Sequence, residues 1–178
     1  INFFKKYELN KINFIFEINK KNLRFDDIKL FLNDKSILIP QLNVSKENKE
    51  YLISGKLTTN SLTLTKKEIN NLMNNEILQL DINKILFISN NFFKFKINKN
   101  FKIKNLDIKS KIDLDNLIIK NFLKLNNIFP KIKEDIIFKN QKIKLEYNKD
   151  KLSIDGEGSI FIQNEIDKIK YEISKHKN

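Results

Sequence analysis

The sequence has no cysteine, no tryptophan and no alanine, and only one histidine, two prolines and three glycines in 178 residues. Without cysteine there is no disulfide and no thiolate nucleophile or metal ligand, so cysteine usage leaves the redox compartment open. The single histidine, His176, lies in Lys175-His176-Lys177-Asn178 near the end of the sequence, where solvation is expected rather than a role as base or ligand. No G-x-S-x-G, GxGxxG or Walker loop is present, so hydrolytic, redox and nucleotide-dependent chemistry lack their commonest motifs. A non-enzymatic protein with no cofactor and no metal is expected. No run approaches the roughly 18 apolar residues that a transmembrane helix needs, and no signal-peptide pattern opens the chain. The first residue is Ile1 rather than Met, which leads us to expect a fragment or processed piece of a longer protein, with room upstream for an anchor or a targeting segment. No linker rich in Pro, Gly or Ser interrupts residues 1–178, which are expected to form one β-rich unit.

Arginine is nearly missing too. Lys outnumbers Arg 33 to 1, with Arg24 the sole guanidinium, and 30 Ile and 27 Asn accompany it. Lys, Asn, Ile and Phe share AT-rich codons, so the formal charge of +12 reflects composition bias as much as a basic partner. Arg would be favoured for bidentate phosphate and base contacts. In Phe92-Phe93-Lys94-Phe95-Lys96, with Lys99, Lys102 and Lys104 following, aromatics and cations interleave as on a single-strand stacking platform. Phe93 and Phe95 share a parity with Ile97, however, so a buried face with Lys on the other side explains the segment without nucleic acid.

What the chain does have is alternation. Ile12, Phe14, Phe16 and Ile18 occupy one parity, and only a period of two places them on one face. Asn19-Lys20-Lys21-Asn22 predicts a turn. Leu23 and Phe25, then Ile28, Leu30 and Leu32, form the next run, with a change of phase at Asp26-Asp27 that fits a bulge. A third strand spans Ile37 to Val44, with Pro40 arguing for edge or interrupted pairing. Tyr51, Ile53, Gly55 and Leu57 carry a fourth, in which Gly55 marks a bulge or close backbone approach.

At Thr65-Lys66-Lys67-Glu68 a capping box predicts a short helix over about residues 65–75, its apolar side formed by Ile69, Leu72 and Met73. Strands are expected at Ile77 to Ile82, Ile85 to Ser89 and Phe92 to Ile97, separated by Asn-rich turns. Leu106, Ile108, Ile112 and Leu114 then share a parity with Ser110, and the phase shifts again near Asp115-Asn116. The spacing in Asn121 to Phe129 favours a second helical turn before Pro130. Ile143 to Tyr147, Asn148-Lys149-Asp150-Lys151 and Leu152 to Ile162 form a hairpin. A last strand runs from Ile166 to Ile173, followed by a charged tail from Ser174 to Asn178.

Carboxylate pairs at Asp26-Asp27, Asp113-Asp115 and Glu134-Asp135 could serve as acid/base or cation sites. With no third ligand or histidine nearby, solvated turns and strand edges account for them better. Gly156-Glu157-Gly158 is too short to cradle phosphate, and a bulge or crowded strand crossing accounts for its glycines. The remaining candidate is the apolar face itself. In a closed sandwich or barrel it would be a core, whereas in an open, curved sheet it would line a trough that lipid tails could cover.

Three segments in order sharpen the expectation: Leu23-x-Phe25-Asp26-Asp27-Ile28-x-Leu30, Ser36-Ile37-x-Ile39-Pro40-x-Leu42 and Tyr51-x-Ile53-x-Gly55-x-Leu57. Together they resemble the repeated hairpins of AsmA-like envelope proteins, the group that includes YhdP and TamB. Asp107 to Ile119, Phe122 to Pro130 and the hairpin of Ile143 to Ile162 are similar to the C-terminal region of such a protein. The resemblance implies a mainly β fold, a long curved antiparallel sheet of repeated hairpins forming a β-groove, with one or two short helices. It implies a periplasmic protein of the bacterial cell envelope, tethered to the inner membrane by an anchor outside this chain and serving outer-membrane biogenesis. Its partners would be phospholipid acyl chains moving between the membranes, and neither nucleic acid nor metal. By parity the lipid-binding groove face comprises Phe14, Phe16, Phe25, Leu30, Ile108, Ile112 and Leu114. Lys and Asn of the other parity would face solvent or engage anionic headgroups at the rim. A basic nucleic-acid-binding module and an interaction domain that uses exposed strand edges stand as alternatives.

Overall fold

A computed structural model describes residues 9–20, 22–32, 35–65, 82–120, 135–162 and 165–176. Nine strands follow one another: β1 Leu9–Asn19, β2 Asn22–Leu32, β3 Lys35–Glu47, β4 Glu50–Thr65, β5 Ile82–Asn98, β6 Ile103–Lys120, β7 Asp135–Tyr147, β8 Lys151–Ile162 and β9 Glu165–His176. Each pairs antiparallel with the next, giving one nine-stranded sheet in sequence order. This is the long antiparallel sheet of hairpins that the alternation predicts. Every contact between strands joins sequence neighbours, so β1 and β9 do not meet and the sheet stays open. Among the described strands no second layer packs on either face.

The register gathers apolar side chains from all nine strands on one face, while Ile118, Ile137, Phe161 and Ile166 form a short apolar row on the other. One row across the apolar face runs Phe16, Phe25, Leu42, Gly55, Phe93, Ile108, Tyr147 and Leu152. The opposite face carries a row running Lys56, Phe92, Lys109, Glu146 and Ser153. Strands this long drift out of phase unless something resets them, because twist accumulates along each one. Bulges do so here. Asp27 adopts φ 51° where β2 gains one residue on β1, which returns Ile28 and Leu30 to the face of Phe25. Pro40 lies within the break in β3–β4 pairing, so its strand is central but its pairing is interrupted. Ser61 (φ 53°), Asn105 (φ 50°) and Asn140 (φ 50°) fall at further register shifts, and another shift lies at Asp115. Each bulge adds local twist and bends the sheet.

Three expectations need correction. Ile85–Ser89 and Phe92–Ile97 are not two strands with a turn between them; β5 runs through Asn90-Asn91 without a break. Ser174 to His176 belong to β9 rather than to a tail. The crowding foreseen at Gly156 and Gly158 is real, but the accompanying bulge sits on β7 at Asn140. Thr65 ends β4; the rest of the helix expected over 65–75, the strand over 77–81 and the helical turn over 121–129 lie outside the described residues.

Candidate functional site

All seven residues assigned by parity share the apolar face. Phe14, Phe16 and Phe25 form one aromatic cluster: the Phe14 and Phe25 rings meet edge to face at 5.6 Å, and Phe16 lies 6.1 Å from Phe14 and 6.3 Å from Phe25. Such tilted arrangements suit the ring quadrupoles. Leu30 stands opposite Ile37. Across the sheet Ile108 lies between Phe93 and Tyr147, Ile112 between Ser89 and Ile143, and Leu114 between Phe87 and Gln141.

Exposure divides these residues into two groups. Phe14 and Phe16 are 48% and 56% exposed, whereas Leu114 is 7% exposed. Ile28, Ile37, Ile119 and Ile136 are buried like Leu114. Ile119 packs with Leu64, Ile85, Leu117 and Phe138 at the strand ends where β4, β5, β6 and β7 meet segments 66–81 and 121–134. Toward the opposite ends the face opens at Ile18, Tyr51 and Tyr147. The accessible apolar surface therefore lies along β1 and at the Tyr51–Tyr147 end, and Leu114 belongs to the packed part.

A polar band crosses the apolar face, and parity reasoning assigned it no role. Thr59, Ser89, Ser110 and Gln141 are all buried. The Thr59 and Ser89 hydroxyls share a hydrogen bond of 2.9 Å, and the Ser89 N–H donates to Thr59 Oγ1 at 3.0 Å. Asn91 Nδ2 donates to Leu57 O at 3.2 Å and to Ser89 Oγ at 2.8 Å. Gln141 Nε2 donates to Lys139 O at 3.1 Å and Ser159 O at 2.8 Å. These groups flank the shifts at Ser61 and Asn140, where the regular pairing of the ladder is interrupted. Side-chain amides and hydroxyls take over that pairing, since a buried peptide group without a partner costs stability. Gln141 Oε1 is left without a partner, and two Nε2 bonds outweigh it. The only sequence signal for the band is a polar residue at an apolar parity position, as at Ser110.

The other face mixes signs. Asp113, Lys142, Glu157 and Lys170 form one cross-strand row of alternating charge, and Lys94 stands opposite Asp107. A shallow depression of about 490 Å³ on this face is lined by Lys111, Lys142, Lys144 and Lys170 together with Asp113, Asp155 and Glu157. Lys94 and Lys96 lie opposite in face to Phe93 and Phe95, as the parity argument predicts. Phe92 alone of those aromatics sits on the polar face, with Lys56 Nζ 5.7 Å from its ring centre. Asp26 pairs with Arg24 at 2.9 Å, and Asp115 sits at a bulge, which takes it out of strict alternation with Asp113. Among the described residues no group of three His, Cys, Asp or Glu could hold a metal ion. His176 is exposed at the end of β9. Compared with family models, curated proteins and solved structures, the chain matches none of them.

Proposed function

We propose that the apolar face is the working surface, a β-trough that shelters phospholipid acyl chains as they pass between the inner and outer membranes of a bacterial envelope. The reading rests on the AsmA-like pattern of the sequence. One observation carries it: one face of a nine-stranded, open sheet gathers apolar side chains from every strand, with Phe14 and Phe16 left accessible. Each acyl CH₂ sheltered from water recovers about 0.8 kcal/mol, so passage along such a face needs no catalytic residue. Mixed charge on the other face favours a solvated surface over a nucleic-acid track, since phosphate binding wants one sign of charge.

The test compares the two faces with a phospholipid bearing a photoreactive acyl chain. Phe16 and Phe92 are almost equally exposed, at 56% and 55%, on opposite faces. Phe16→Asp and Ile112→Asp should lower crosslinking several-fold in folded protein, and Phe92→Asp should leave it unchanged. Equal loss from both faces, or no loss from Phe16→Asp, would refute the trough.

A further inference from the structure

The outer edge of β9 is unpaired among the described strands, and its sequence is complementary to itself. Edge strands are ordinarily blunted by charge to prevent pairing. β9 carries Glu165, Asp167, Lys168, Lys170, Glu172 and Lys175, yet these charges favour one pairing in particular. Consider a second copy related by a two-fold axis through Tyr171, perpendicular to the sheet. Antiparallel pairing then sets Lys170 opposite the second copy's Glu172, Asp167 opposite its Lys175, Ile169 opposite its Ile173, and Tyr171 opposite itself. The two-fold repeats every pair. Moving the axis to Lys170 or to Glu172 puts two like charges face to face. An axis between residues would set opposite faces of the sheet against each other, which cross-strand geometry forbids.

An internal conflict points the same way. Within the chain Glu172 stands directly opposite Asp155, and Lys170 opposite Glu157. Like charges in that relation destabilise a sheet, so Glu172 lacks a favourable partner across β8. Among the described residues the ion pairs Arg24–Asp26, Lys96–Glu47 and Lys104–Glu50 all lie away from β9. A second copy's Lys170 supplies the missing cation. On the apolar face, Ile169, Tyr171 and Ile173 follow from Gly158, Gly156 and Ile154 of β8, and the same residues of the second copy would continue them.

We propose that the chain forms a two-fold symmetric dimer through antiparallel pairing of β9 with β9, centred on Tyr171, which merges two nine-stranded sheets into one, with Ile169, Tyr171 and Ile173 of both copies carrying the apolar face across the seam between flanking Asp167–Lys175 pairs. The pairing follows from register and charge alone and holds whether or not that face carries lipid.

Sedimentation velocity on the whole chain up to about 100 μM, where weak self-association is populated by mass action, reads the dimer. Lys170→Glu and Glu172→Lys should each raise its dissociation constant about tenfold or more, because every reversal sets two like-charged pairs across the axis. An equimolar mixture of the two variants should dimerise again, since all four pairs of the mixed dimer then carry opposite charges. Glu172→Lys also removes the conflict with Asp155, so its monomer should unfold no earlier than wild type, which separates lost association from lost folding. A monomeric wild type at the highest concentration, undiminished association of the single variants, or a mixture that stays monomeric would each overturn the proposal. Undiminished association of the single variants would place self-association on β1 or on the apolar face.

Discussion

Gln141 lies across Gly158, filling the space that any side chain there would occupy. Its Nε2 holds the carbonyls of Lys139 and Ser159 beside the Asn140 bulge, so glycine and glutamine act as one device. Gly158→Ala should push the amide away and cost about 1–3 kcal/mol, in the range for buried groups left unpaired. Gln141→Ala should cost a similar amount. Urea unfolding of both variants and the double variant tests the coupling, because the two losses should be far from additive. Additive losses would show that the glycine and the glutamine act separately.

Asp27 tests the bulges as devices for keeping phase. At φ 51° its backbone occupies the left-handed region, which Asp tolerates and a β-branched residue does not. Asp27→Gly should be neutral or slightly stabilising, and Asp27→Val should destabilise by about 1–2 kcal/mol. Removing residue 27 altogether is more severe, because it returns Ile28 and Leu30 to the polar face. That variant should bind a hydrophobic dye in a state lacking a cooperative transition.

Strand order and the apolar face are legible in the sequence because side-chain period and burial agree over long runs. The phase shifts at Asp26-Asp27 and Asp115-Asn116 show because apolar residues resume on the other parity immediately beyond. The shift at Asn140 is hidden, since the residue it returns to the apolar face is Gln141, which looks like solvent-facing polarity. Asn90-Asn91 misleads for a related reason. Asn is a common turn residue, but the Asn91 amide finds Leu57 O on β4 and Ser89 Oγ on its own strand, and β5 passes straight through. Parity alone likewise does not separate the packed Leu114 from the accessible Phe16, because exposure depends on distance along the strand.

The β3–β4 hairpin tip is tethered by two ion pairs with opposite pH limits. Lys96 reaches Glu47 at 2.7 Å and Lys104 reaches Glu50 at 2.7 Å. The hydrogen bond from Lys104 holds the Glu50 carboxyl below its ordinary 4.5, and the bond to Glu47 raises Lys96 above 10.5. A lowered folded-state carboxyl value means that the Glu50 contribution is present above 4.5 and lost as pH falls through the folded value. The raised Lys96 value means that its contribution is present below 10.5 and lost as pH rises through the folded value. Both pairs are exposed and should weaken with added salt. Carbon-detected NMR titration should show Glu50 returning toward its ordinary range in Lys104→Met, with Lys96 unmoved. An unchanged Glu50 titration would show that Lys104 is not its partner in solution.

If the apolar face is both scaffold and working surface, its two ends should respond oppositely to truncation. Leu114 is 7% exposed between Phe87 and Gln141, so Leu114→Ala should leave a cavity and cost about 2–4 kcal/mol. Phe16 is 56% exposed on the outermost strand and touches Phe14 and Phe25. Phe16→Ala should cost about 1 kcal/mol or less, mostly the loss of aromatic pairing. Acyl-chain binding should follow the reverse order: reduced by Phe16→Ala, which removes accessible apolar surface, and retained by Leu114→Ala while the sheet remains folded. Urea unfolding and titration with a fluorescent fatty acid on the same preparations separate the two effects. A Phe16→Ala variant that unfolds early would place β1 in the core, and one that binds the acyl probe like wild type would move the lipid surface away from the Phe14–Phe16–Phe25 cluster.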